Sequence, residues 1–555
     1  MKLFTGHKKA FLPVAAAMLS LGALDAQAQQ TPNFTRQDTL RGSITPERAW
    51  WDLTYYHLNI KVNPADSSIH GMNTIQYKVL EPYQVMQLDL QPPMRMEKVM
   101  QNGKRLEVTQ DGNAYFVKLT EQQRPGAVNK LEVYYGGKPQ VSVNPPWSGG
   151  ITWKRDERGN PFVASSNQGD GASLWWPCKD HMYDEPDSML ISVAVPKDLI
   201  NVSNGRLRGI DENKDGTRTF HWFVSNPINN YGVNINIGDY VHFGEKYQGE
   251  KGMLDCDYWV LRDNLDKAKA QFKDVPRTLQ ALEHWFGPYP FYEDSYKLVE
   301  VPYLGMEHQS SVTYGNGYQN GYRGRDLSGT GWGLEFDFII IHETGHEWFA
   351  NNITYKDVAD MWIHEGFTAY SESLFLDYHY GTQAGNEYTI GKRKTIRNDR
   401  PIVGHYDVNH SGSGDMYNKG ANMLHTLRQI VNDDEKFRGI LRGLNKDFYH
   451  QTVTTQQIEG YLAKHTGKDL TRFFDQYLRD TRIPVLEYRQ EKKNLSYRWT
   501  NVVDGFNMPV KVYLNGKETW LEPSPEWKEM KKMKAGTTLT IDPNFYVQEV
   551  KKLES

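Results

Sequence analysis

From about residue 50 to residue 250, apolar and polar positions alternate with a period of two. Tyr56, Leu58, Ile60 and Val62 interleave with His57, Asn59 and Lys61, and Ile75, Tyr77 and Val79 with Gln76 and Lys78. Successive side chains of a strand point to opposite faces, so this text predicts half-buried strands. Leu131, Val133 and Tyr135 continue it, as does the run from Met189 to Val195, with Gly and Asn punctuating the turns. The expected outcome is an all-β N-terminal domain of sandwich type. Asp211-Glu212-Asn213-Lys214-Asp215-Gly216 opens like a calcium loop, but its twelfth position, where a bidentate Glu must stand, is Trp222. Asp215-Gly216 is therefore read as a hairpin turn.

After about residue 260 the period lengthens. Leu265 to Phe286 predicts an amphipathic helix stopped by Gly287-Pro288, and Tyr296 to Val301 a strand. Residues 311–333, rich in Gly, Tyr and Asn, predict a loop near the site. Helices are expected from about Leu334 to Asn351, from an Asp360 N-cap to Gly381, from Met416 to about Lys464, and from Leu470 to Leu478. Asp480-Thr481-Arg482-Ile483-Pro484 marks a boundary. Beyond it Val485 to Tyr488, Leu495 to Trp499, Val510 to Tyr513 and Thr538 to Ile541 predict short strands. The reading is a multidomain α+β chain: an all-β domain over 29–245, a mostly helical domain over 246–482 and a small β-sandwich over 483–555.

Residues 1–28 form a separate unit. Lys2, Lys8 and Lys9 precede an apolar run from Ala10 to Leu24, and Ala26-Gln27-Ala28 supplies small residues for cleavage, the pattern of a secretory signal peptide. The run contains Pro13 and is shorter than the roughly 20 residues a membrane span needs. Export to the periplasm or the medium is expected. Removing three Lys and Asp25 leaves 61 basic and 67 acidic residues, a formal charge of −6. That mild acidity argues against a nucleic-acid partner. Cys178 and Cys256 allow one disulfide at most.

The chemistry concentrates in His342-Glu343-Thr344-Gly345-His346, followed eighteen residues later by Glu365. Imidazoles four apart on a helix converge on one ion, and two imidazoles with one carboxylate leave a fourth zinc position open, which is the catalytic arrangement. The zinc ligands are His342, His346 and Glu365. Glu343 stands beside the ion without binding it and suits a general base. Glu372, seven residues beyond Glu365, is on the same helix face, either supporting a ligand or solvated.

With Trp348, Trp362, Gly366 and Phe367 around it, this core resembles that of the aminopeptidase N family of gluzincin zinc metallopeptidases, which also contains the leukotriene-hydrolysing aminopeptidase. His364 stands where the family usually has Asn. Leu304-Gly305-Met306-Glu307-His308 resembles the family's exopeptidase motif, which is usually Gly-Ala-Met-Glu-Asn, and Tyr417-Asn418-Lys419-Gly420-Ala421 its Tyr-x-Lys-Gly-Ala. The likeness covers the chain after residue 28 nearly end to end, including Phe286-Gly287-Pro288-Tyr289-Pro290. It implies an N-terminal β-saddle or sandwich and a thermolysin-like catalytic domain. The long helical C-terminal cap of larger relatives is expected to be absent. It also implies that Glu307 binds the substrate's α-amine, that Gly305, Met306 and Gln168 line the binding site, and that Tyr417 stabilises the oxyanion. The expectation is an exported aminopeptidase using one zinc ion on peptides with a free N-terminus. Its competitors are an endopeptidase or epoxide hydrolase on the same scaffold, and a non-catalytic peptide-binding protein.

Overall fold

The computed structural model describes residues 33–552 apart from 492 and 535, so the expected signal peptide lies outside the described residues. From Arg36 onward the chain is one compact unit. Among the described residues no helix is long and apolar enough to cross a membrane.

The alternating text forms the strands it predicts. Trp51–Asn63 lies in the middle of an eight-stranded sheet, parallel to Ser188–Pro196 and antiparallel to Ser68–Val79. Its Tyr56, Leu58, Ile60 and Val62 are buried together with Ile75, Tyr77, Leu131 and Val133 of the neighbouring strands. A four-stranded and a three-stranded sheet complete this β region. Asp215-Gly216 does turn a hairpin, between Arg206–Glu212 and Thr217–Val224, with Gly216 at φ +80°.

A separate five-stranded sheet contains Tyr240–Gly249, Gly252–Leu261, Tyr296–Glu300, Val312–Tyr314 and the edge strand Gly305–Met306. Its first strand runs across the expected boundary at 245/246, so the change of sheet falls earlier, after Gly238. Helices pack beside this sheet, and the same core continues into two small sheets beyond Val485. Cys178 is buried in the N-terminal core and Cys256 in the core around the five-stranded sheet, and both are free thiols.

Several expected helices are shorter than their apolar pattern. Leu265–Gln271 and Asp274–Phe286 are separate helices. Pro276 lies in the first turn of the second, where its missing N–H costs nothing, and could not sit inside a continuous helix. The helix expected over 334–351 is Phe338–Gly345. It starts there because the Asp337 carboxylate accepts from the Ile339 and Ile340 amides at 3.1 and 3.4 Å. Past Gly345 the backbone bonds widen, with Asn351, Asn352 and Ile353 each donating to the carbonyl five residues back. Asp360 does not cap the next helix, Trp362–Tyr380; its carboxylate instead accepts from Thr455 and Tyr406. The span from Met416 to Lys464 divides into Asn418–Val431, Asp434–Asp447 and Thr455–Thr466, with the strand Gln451–Val453 before the last.

Candidate active site

Three helices and one sheet edge meet at the site. Phe338–Gly345 carries His342 and Glu343, with His346 as its C-cap, and Trp362–Tyr380 carries Glu365 and Glu372. Asn418–Val431 follows directly on Tyr417. The third helix approaches because two glycines touch: a Cβ on Gly420 would lie 2.9 Å from the Gly366 Cα. Gly305 serves the same end on the sheet edge, where a Cβ would stand 2.6 Å from Ile339 Cγ2.

The ligand atoms of His342, His346 and Glu365 lie within 4.8 Å of one another and are buried. His346 Nδ1–H donates to the Phe349 carbonyl at 3.0 Å, and His342 Nδ1–H to Glu372 Oε1 at 2.9 Å. A proton on each Nδ1 leaves each Nε2 lone pair free. Those two Nε2 atoms face Glu365 Oε2 at 3.8 and 3.4 Å. Glu365 Oε2 is itself a buried oxygen without a hydrogen-bond partner. A buried orphaned carboxylate oxygen between two imidazole lone pairs is the donor set a zinc ion satisfies. The charges agree. Burial lowers the pKa of His342, but the Glu365 carboxylate facing it and its hydrogen bond to Glu372 outweigh this and raise it to about 10. Burial likewise works against Glu365's charge, yet His346 and His342 hold its carboxyl well below the usual range. The pocket thus draws positive charge to the point between the ligands.

Glu372 is fully buried, which settles its alternatives. Its second oxygen accepts from Lys392 Nζ at 2.6 Å and from the Tyr388 hydroxyl at 2.7 Å. It is a packed support for His342, not a solvated helix carboxylate.

Beside the triad, Glu307, Glu343 and His346 form a second close group of buried ligand atoms. Glu307 Oε1 accepts from Gln168 Nε2 at 2.8 Å and from the Tyr231 hydroxyl at 3.0 Å. Gln168 Nε2 also donates to Glu365 Oε1 at 2.7 Å, so one amide ties the two carboxylates together. Burial raises the pKa of both Glu307 and Glu343, with nearby imidazoles opposing. Tyr417 stacks on His342 with ring centroids 6.0 Å apart and planes 22° off parallel. Gln168, Glu307, Glu343, Glu365, the two histidines and Tyr417, with Gly305 and Met306, line one cleft of about 560 Å³.

Residues 271–477 match the Peptidase family M1 domain. The chain carries an M1 peptidase domain. It is 22% identical over 449 residues to leukotriene A-4 hydrolase of Xenopus laevis, covering 76% of this chain and 69% of that one. With leucine aminopeptidase 2 of Vanderwaltozyma polyspora it shares 25% identity over 346 residues, 59% of this chain and 47% of the relative. With probable aminopeptidase 2 of Sulfurisphaera tokodaii the identity is 21% over 366 residues, 62% of this chain and 45% of that one. The chain thus spans about half the length of these aminopeptidase relatives. In fold it is similar to the M1 zinc metallopeptidase of Deinococcus radiodurans, with a TM-score of 0.67 and 23% identity, covering 80% of this chain and 96% of that one. The mixed α+β architecture is that of the M1 metallopeptidases, and His342, His346 and Glu365 form a buried group that could hold one metal ion.

The structure brings together in the M1 cleft every site residue the sequence nominated. It adds Tyr231 on Glu307, Tyr388 and Lys392 on Glu372, and Asn351, whose amide donates to the Glu307 carbonyl at 2.9 Å. None belongs to the motifs that mark the site, so only the fold reveals their contacts.

Proposed function

We propose that the chain is an exported zinc-dependent aminopeptidase, removing the first residue of peptides that have a free N-terminus. The observation that carries this reading is a charge imbalance. Four buried carboxylates, Glu307, Glu343, Glu365 and Glu372, share the cleft with one buried ammonium, Lys392, so acidic groups outnumber the fixed cation there. A zinc dication between His342, His346 and Glu365 and a protonated α-amine beside Glu307 would offset that acidic excess. Burying an uncompensated charge is costly, so the cleft favours a substrate that brings a cation. An α-amine with a pKa near 7.7–8.0 does so at neutral pH. A continuing peptide chain, as an endopeptidase requires, brings none. The relatives named aminopeptidases point the same way, as does the Deinococcus radiodurans enzyme, a variant of which was crystallised with a Tyr-Ser-Ala substrate.

In this reading Glu307 and Gln168 hold the amine, which fixes the first peptide bond at the metal site and no other. His342, His346 and Glu365 would hold a zinc ion, which would supply Lewis acidity for the hydrolysis. Glu343 takes a proton from the attacking water and returns it to the leaving amine. The Tyr417 hydroxyl donates to the oxygen on which negative charge develops.

The test compares aminoacyl-p-nitroanilides with their N-acetylated copies, with and without chelator. The wild type should cleave only the free-amine series and lose activity on chelation. Glu307→Gln should narrow the free-over-acetylated preference by at least about tenfold, the worth of one lost charge-assisted contact. Equal cleavage of acetylated substrates by the wild type removes the aminopeptidase reading, and chelator-resistant activity removes the metal. Export rests on the pattern of residues 1–28, with cleavage after Ala28. An intact-mass measurement of the protein recovered outside the cytoplasm should give a chain starting at Gln29, and a chain retaining those residues sinks that part.

A further inference from the structure

Outside the catalytic groups, the loop 140–149 of the N-terminal β region carries exposed apolar side chains, and its residues 146 and 147 reach the cleft. Val143 is 88% exposed and Trp147 61%, the most exposed tryptophan among the described residues. Isolated exposed apolar groups need no explanation, but these share one short loop, and Pro146 and Trp147 line the same cleft as Gln168, Glu307 and the zinc triad.

The loop is built to hold its shape. The Ser148 hydroxyl accepts from the Asn144 amide at 2.7 Å and lies 3.1 Å from the Ser142 hydroxyl, while Gln140 Nε2 donates to the Gly149 carbonyl at 3.1 Å. The Gly149 amide donates to Asp170 Oδ2 at 2.6 Å. A Cβ at Gly149 would fall 2.7 Å from the Asp170 Cβ, so the two segments touch at that point. Asp170 is two residues beyond Gln168, whose amide bridges Glu307 and Glu365. The rim tryptophan is therefore fastened to the segment that reaches both the amine site and the metal site. Leu304, Tyr322, Leu327 and Phe338, which are apolar or aromatic, line the same cleft.

We propose that this loop is a specificity wall: Trp147, backed by Pro146, covers the side chain of the substrate's first residue and favours long aliphatic or aromatic residues there. The inference rests on the aminopeptidase reading. With the amine on Glu307 and the first carbonyl at the metal, the first side chain leaves a Cα held between those two points. The Gln168 segment spans the same two points, and Trp147 is fastened to that segment.

The experiment measures kcat/KM for leucyl-, phenylalanyl- and alanyl-p-nitroanilide with the zinc-loaded full chain. Trp147→Ala should lower the leucyl-over-alanyl and phenylalanyl-over-alanyl ratios by about tenfold, chiefly through KM, as expected for apolar pocket contacts. Trp147→Phe should keep both ratios within about threefold of wild type. Val143→Ser, on the same loop but not lining the cleft, should leave both ratios unchanged. Ratios unchanged in Trp147→Ala overturn the wall while leaving the aminopeptidase reading intact. An equal fall in Val143→Ser assigns the effect to loop disorder and also overturns it. A wild type that cleaves none of the three substrates fails the aminopeptidase reading itself, and the wall falls with it.

Discussion

Glu343→Gln should retain a full complement of zinc and near-normal KM while kcat falls about 10³-fold, within the 10²–10⁴ range that general-base groups contribute. At 1.36 kcal/mol per tenfold, the loss corresponds to about 4 kcal/mol of barrier. Three features of the cleft set these expectations. The ligand atoms come from His342, His346 and Glu365, so the substitution removes none of them. Glutamine has the shape of glutamate and fits the same buried space, but it cannot accept a proton. The carboxylate it replaces lies within 4.8 Å of the ligand atoms of Glu307 and His346, between the amine site and the metal site. Metal analysis of the purified variant beside steady-state kinetics separates loss of the base from loss of the ion. Activity within tenfold of wild type at full zinc content would exclude Glu343 as the base.

The zinc triad was legible because a helix converts fixed spacing into convergence, and His342, His346 and Glu365 do converge. The strands were legible for the same kind of reason, as the buried Tyr56, Leu58, Ile60 and Val62 show. Helix ends were not, because an apolar stripe continues across breaks that side chains decide. Asn432 takes the left-handed conformation, and Asp433 then caps a new helix by accepting from the Lys436 amide. Thr454 and Gln457 form a reciprocal cap at the start of Thr455–Thr466, a four-residue signal that the sequence did contain. Glu372 stayed ambiguous on a helix face, since only the fold brings Lys392 and Tyr388 to it. Gln168 was harder still: its place depends on a β segment meeting two helical-domain carboxylates, and no local pattern encodes that meeting.

Tyr417→Phe should lower kcat about 10²–10³-fold with zinc content and KM little changed, the cost of about 3–4 kcal/mol that follows loss of one oxyanion donor. Phenylalanine keeps the ring that stacks on His342, so only the hydroxyl is removed. That hydroxyl is a dependable donor. Burial, with the Glu365 and Glu307 carboxylates adding to it, pushes its pKa well above the usual tyrosine value, so its proton stays bound through neutral and mildly alkaline pH. Loss of activity as pH rises over that range should therefore have the same midpoint in wild type and Tyr417→Phe. The backbone supports the placement: Tyr417 immediately precedes Asn418–Val431, whose Gly420 touches Gly366 on the helix that supplies Glu365. Gly420→Ala, which puts a Cβ into a 2.9 Å contact with the Gly366 Cα, should move Tyr417 and lower kcat in the same direction. Full activity in Tyr417→Phe would show that the oxyanion is held by another donor.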